Sequence, residues 1–178
     1  MLKSYWIQGL LITFIMAFAS CIFAAGKKEL NISVNVQELS VEKLSEKYGD
    51  EIYFSVVQYS NKKPAKQFRI PEFPSYWKFK YFEKIKGINL WQGSVQNNET
   101  TQLVISIIEQ DSFPLDLDDH IGSVKVTLIN KNGKLQVKWD IPNLRDQAEV
   151  LQLENNSPLF VLMGDYSKYK ISFKVIKK

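Results

Sequence analysis

Leu30-Asn31-Ile32-Ser33-Val34-Asn35-Val36-Gln37-Glu38-Leu39 alternates apolar and polar residues along its length. Successive side chains of an extended chain point to opposite faces, so this alternation predicts a half-buried β-strand. Glu51-Ile52-Tyr53-Phe54-Ser55-Val56-Val57-Gln58-Tyr59 repeats the pattern with the β-branched and aromatic residues that pack well on a pleated surface. Between the two, the charged segment Val41 to Tyr48 predicts one or two helical turns closed by Gly49 as a C′ residue.

Further along, Pro64, Pro71 and Pro74 limit the chain to an edge strand over Gln67 to Ile70 and a rigid loop, because proline cannot donate to a central ladder. Strands are predicted over Trp77 to Ile85, Ile88 to Val95 and Thr101 to Ile108, the last apolar on nearly both faces and therefore central. After an acidic loop from Glu109 to Asp119 comes Gly122 to Ile129, then Asn132-Gly133, whose tolerance of positive φ predicts a type I′ hairpin into Lys134 to Trp139. Pro158 to Met163 and Tyr169 to Ile176 close the set. Eight or nine short strands with closely spaced turn signals make an all-β, antiparallel sandwich.

The chain has 178 residues, 45% hydrophobic and 24% charged, with 8 Gly and 6 Pro, a balance that excludes disordered, collagenous and disulfide-scaffold classes. Residues 1–25 read as an export signal: Lys3, an apolar run from Leu10 to Ala19, and a small-residue exit at Ala24-Ala25-Gly26. Residues 26–178 then form one domain, exported to a periplasm or beyond. Phe18-Ala19-Ser20-Cys21 is a degenerate lipobox that offers Cys21 for lipidation and membrane anchoring, although Phe18 replaces the usual Leu and apolar Ile22-Phe23 follows. Cys21 is the sole cysteine, so cleavage near Ala25 leaves a domain without thiol chemistry.

The formal charge of +4, from 23 Lys and Arg against 19 Asp and Glu, is too small to make nucleic acid the automatic partner. His120 is the single histidine, and neither a GxGxxG nor a Walker phosphate loop is present. No small-molecule substrate is indicated, and the census predicts a binding protein rather than an enzyme.

Two features carry chemistry. The acidic loop packs five carboxylates (Glu109, Asp111, Asp116, Asp118 and Asp119) between two apolar strands, so it is either well solvated or neutralised by a hard cation. Trp77-Lys78-Phe79-Lys80-Tyr81-Phe82-Glu83-Lys84-Ile85-Lys86, read as one strand, points Lys78, Lys80, Lys84 and Lys86 one way. That is either a solvated face resisting edge pairing or a contact for anionic surfaces. Its aromatics fall mostly on the opposite face, which spoils a base-stacking platform.

The arrangement Glu109-Gln110-Asp111, loop, Asp119-His120-Ile121-Gly122 resembles the third calcium-binding loop of C2 domains, and Gly49-Asp50-Glu51-Ile52-Tyr53-Phe54 is similar to their first. The resemblance implies an eight-stranded sandwich that docks on phospholipid. It also implies calcium held by Asp50, Glu109, Asp111, Asp118 and Asp119, with Asp116 an alternative, and a lysine-rich strand engaging lipid headgroups. Glu109 stands where the family most often has Asp. Leu44 occupies the place of a second first-loop Asp, with Glu46 the nearest substitute. The partner expected is an anionic membrane surface or an envelope protein, with a metal-independent subunit of an envelope or secretion assembly as the rival reading.

Overall fold

The computed structural model describes residues 28–61, 63–80, 83–111, 117–142, 147–152, 157–164 and 166–178. The export signal and Cys21 lie outside the described residues, as does Asp116. Eleven strands follow in order: β1 (Leu30–Lys43), β2 (Asp50–Ser60), β3 (Lys63–Ile70), β4 (Trp77–Phe79), β5 (Lys84–Val95), β6 (Thr100–Glu109), β7 (Asp119–Lys131), β8 (Lys134–Asp140), β9 (Gln147–Gln152), β10 (Leu159–Met163) and β11 (Lys168–Lys177). One antiparallel sheet, sheet A, runs β5-β1-β11-β10-β9. Sheet B runs β3-β2-β6-β7-β8, with β4 also paired to β2. Among the described residues no helix is long and apolar enough to cross a membrane.

The alternation seen in the sequence is the burial pattern of the fold. Ile32, Val34 and Val36 of β1, Ile52, Phe54 and Val56 of β2, and Leu103, Ile105 and Ile107 of β6 are all buried in the layer between the sheets. β6 lies at the middle of sheet B, as its apolar character predicts. Aromatic rings join the sheets: Trp139 of β8 stacks on Phe173 of β11 at 5.0 Å, and Phe160 of β10 meets both at 6.0 Å. Trp91 is likewise buried and donates through Nε1 to Gln58 Oε1 at 3.0 Å, so both tryptophans serve packing.

Asn132 (φ 53°) and Gly133 (φ 79°) form a two-residue turn between Lys131 and Lys134, the type I′ hairpin expected. Buried Asn130 anchors this end, donating to the carbonyls of Lys28 and Val95 and accepting from Gly133 N.

Three expectations need correction. Among the described residues the strands number eleven rather than eight or nine, and β9 lies in a stretch read as connection. Segment Val41 to Tyr48 is not helical: β1 continues to Lys43 because β11 supplies a ladder partner as far as Lys168. Nor is Trp77 to Ile85 one strand. β4 stops at Phe79, the Glu83 amide donates to the Lys80 carbonyl at 3.2 Å, and the Lys80 amide donates to the Glu83 side chain at 2.7 Å. Between β4 and β5 the chain passes from sheet B to sheet A.

Candidate loop-end binding site

Register places four connections at one end of the sandwich. Lys43 pairs with Lys168, Asp50 with Phe79, Ile52 with both Trp77 and Glu109, and Glu109 with Asp119. The described residues of loops 44–49, 71–76, 110–118 and 164–167 therefore converge. Leu44 begins the first by dropping into the core, so it offers no oxygen at the position where a second acid was sought. Gly49 ends it with φ 104°, and a Cβ there would sit 2.2 Å from the Phe79 carbonyl oxygen, so only glycine lets β4 close against the turn.

Asp50 is fully buried directly after that glycine. Its carboxylate accepts from Ser45 N at 3.0 and 3.2 Å, Ser45 Oγ at 3.0 Å, Glu46 N at 3.0 Å and Tyr169 Oη at 2.5 Å. A carboxylate has about four lone-pair sites, so these donors saturate it. The Tyr169 bond joins sheet A to sheet B, while the backbone bonds pin the first loop. Burial, reinforced by the Asp50 carboxylate, drives the Tyr169 phenol well above its ordinary range.

Glu109, also buried, meets Ser45 Oγ at 2.5 Å from the other side. One hydroxyl has one proton and cannot donate to both acids. The pattern closes when Glu109 holds a proton and donates it to Ser45 Oγ, leaving Ser45 to donate to Asp50. Burial raises the Glu109 carboxyl to about 7. When Glu109 is ionised, a Ser45 proton turned toward it pulls against that rise, and the charges of Asp50, Asp111 and Glu46 add to it.

The sign of the pH effect follows. Between its ordinary 4.5 and about 7, Glu109 binds more proton folded than unfolded, so its contribution is fully present below pH 4.5 and lost as pH rises through 7. Urea melts should show stability falling across that window by on the order of 2 kcal/mol, with Glu109→Gln flattening the slope. An identical slope in Glu109→Gln would refute this assignment.

The outer acids form a second group. Asp118 accepts from Tyr53 Oη at 2.8 Å and from the Asp111 amide at 3.2 Å, which closes the base of its loop. Burial and Asp118 together push the Tyr53 phenol up to about 12. Arg69 of β3 lies over the Tyr53 ring at 3.6 Å with Phe73 at 5.5 Å, and it donates to the Ser75 carbonyl at 2.9 Å and Gln110 Oε1 at 2.5 Å. Arg69 thus ties two loops to β2. It was missed in the sequence, where the one available signal was an arginine in a lysine-rich chain. Asp119 stands opposite Glu109 in the ladder but is exposed. His120 Nε2 lies 2.8 Å from Ser123 Oγ, on the flank.

Asp50, Glu109 and Asp118, all expected to hold calcium, are engaged with protein groups. Asp50 is saturated by protein donors, and Glu109 is buried against Ser45. Asp118 is turned toward Tyr53 and the Asp111 amide, and among the described residues no three acid or histidine side chains converge on one point.

The loop tips carry a different signal. Seven large hydrophobic residues are exposed among the described ones, and five of them sit here: Tyr48 (76%), Phe73 (76%), Tyr76 (39%), Leu117 (80%) and Tyr166 (70%). Each comes from one of the four converging loops. Exposed Glu46, Glu72, Asp118 and Asp119 lie on or next to the same loops, together with Lys47 over the Tyr48 ring at 5.6 Å and Lys80 beside Gly49, so the aromatic end carries charges of both signs.

The predicted basic stripe divides between sheets. Lys78 stays at the loop end in an ion pair with Glu51 at 3.2 Å, which raises its ammonium pKa, and Lys80 follows β4. Lys84 and Lys86 belong to β5 and share Glu38 at 2.7 and 3.1 Å. No protein-family model matches the chain, and no curated protein matches it.

Proposed function

We propose that this chain is an exported binding module that grips a protein of the cell envelope with the loop end of its sandwich and carries out no catalysis. The observation that carries this reading is the gathering of Tyr48, Phe73, Tyr76, Leu117 and Tyr166 on four loops of one end. Large exposed side chains on loops held by a rigid sandwich supply contact area at low cost in ordering, and tyrosine does so with a polar tip. The mixed charges on these loops, Glu46, Glu72, Asp118 and Asp119 beside Lys47 and Lys80, suit the polar rim of a protein interface. Calcium-dependent lipid docking of the C2 kind would need Asp50 and Glu109 oxygens that are engaged inside the fold.

Photo-crosslinking residues placed at Tyr48, Phe73 and Tyr166, with Tyr59 at the far end as control, test this in the intact envelope. A discrete protein adduct is expected from the three loop positions, unchanged by chelator, and none from Tyr59. Equal labelling at all four positions would refute the proposal, as would chelator-sensitive attachment to liposomes in place of a protein adduct.

A further inference from the structure

Sheet A turns a second, basic surface outward. Cross-strand pairing sets Lys84 and Lys170 beside Ser40, Lys86 beside Glu38, and Asn89 and Lys174 beside Asn35. Lys168 starts β11 on the same face, and Lys178 beyond its end reaches Gln92 at 2.8 Å. Over β5, β1 and β11 six lysines (Lys84, Lys86, Lys168, Lys170, Lys174 and Lys178) face Glu38 and Glu42, and register brings Glu149 of β9 onto the Lys170 row. Glu38 holds Lys84 and Lys86, while Glu42 holds Lys168 and Lys170 at 3.0 and 3.8 Å. Exposed pairs of this kind bind weakly, and each glutamate offsets one charge while serving two ammonium groups, so the lysines keep an excess of positive charge.

The face is grooved as well as basic. Register shifts between Val36 and Glu38 and between Val34 and Asn35 bulge the sheet on both sides of the Asn35 row. There a cleft of about 400 Å³ opens, with Ser33, Asn35, Asn89, Lys174 and Lys178 as its polar groups and the exposed Ile176 side chain with Gly87 as an apolar wall on which the face of a sugar ring can rest. An amide relay lines it: Asn89 Nδ2 donates to Asn35 Oδ1 at 2.8 Å, and Asn35 Nδ2 donates to Ser33 Oγ at 3.3 Å.

We propose that this face binds an acidic polysaccharide, with the cleft seating one sugar unit and the lysine rows meeting carboxylates along the chain. From Lys168 to Lys178 the track is roughly 33 Å long, which suits an extended polymer. Oriented amides and hydroxyls match sugar hydroxyls, and lysines match carboxylates. The exposed aromatic groups that would enter a bilayer lie at the loop end instead. This site is independent of the loop-end reading, and its test uses different residues.

Calorimetry of the full mature chain with polygalacturonate, with neutral dextran and phosphatidylglycerol vesicles as comparisons, decides it. Saturable binding to polygalacturonate alone is expected, weakening with salt. The combined change Lys168→Gln, Lys170→Gln and Lys174→Gln should weaken it about tenfold, and Asn89→Ala should weaken it several-fold without altering its salt dependence. Glu38→Gln should tighten binding although it removes two ion pairs. Unchanged melting temperatures keep these effects separate from folding. The proposal is overturned by absent binding, by vesicle binding that Asn89→Ala leaves untouched, or by light scattering that shows the face occupied by a second copy of the chain.

Discussion

Asp50→Ala should cost about 3–5 kcal/mol of folding stability, the largest effect expected of any single polar residue here. The carboxylate is fully buried, and its removal strands the Tyr169 hydroxyl and the Ser45 and Glu46 amides inside the protein. Each buried group left without a partner costs about 1–3 kcal/mol. Tyr169→Phe removes one donor and leaves the rest, so it should cost about 1–2 kcal/mol on the same argument. Because both residues belong to one network, the double variant should fall short of the sum by about 1 kcal/mol in urea denaturation. Hydrogen exchange should also rise over residues 44–49, since Asp50 holds that loop by its backbone. A cost below about 1 kcal/mol for Asp50→Ala would mean that water replaces the carboxylate, and the latch between the sheets would have to be abandoned.

Phe173→Ala should cost a comparable 3–5 kcal/mol, for a different reason. Phe173 is fully buried and lies against Trp139 from the opposite sheet and Phe160 from its own. Truncation loses the transfer energy of the ring and leaves a cavity between rigid ladders that cannot close over it. Phe173→Leu keeps much of the volume and should cost roughly 1–2 kcal/mol. Denaturation midpoints with unchanged m-values would check both, and equal losses for Ala and Leu would show that ring geometry matters more than filled space.

The two substitutions also separate what the fold asks of its halves. Phe173 lies in the apolar layer that any antiparallel sandwich requires, whereas Asp50 fixes one loop of the end proposed to bind. If that end is the binding surface, a mild change such as Tyr169→Phe should weaken partner capture at Tyr48 more than at Phe73, because only the first loop hangs on Asp50.

Much of the architecture was legible in the amino-acid sequence. Alternation over Leu30 to Leu39 and Glu51 to Tyr59, the apolar run at Leu103 to Ile108 and the Asn132-Gly133 turn determined an all-β antiparallel chain. Side-chain direction in a strand and backbone freedom in a turn are local properties. A further local sign was overlooked: Lys168-Tyr169-Lys170-Ile171-Ser172-Phe173-Lys174 spaces lysines at strand period, and it supplies half of the basic face of sheet A.

The rest was decided by contacts between distant residues. Asp50 and Glu109 read as open ligands because their loops are acidic. Tyr169, 119 positions from Asp50, and Ser45, 64 positions from Glu109, make them interior groups instead. Lys78 and Lys86 look like one stripe, but β4 ends at Phe79 and β5 begins at Lys84 in the other sheet. Strand periodicity states which residues share a face only while the strand continues, and the packing of the two sheets determines where it stops.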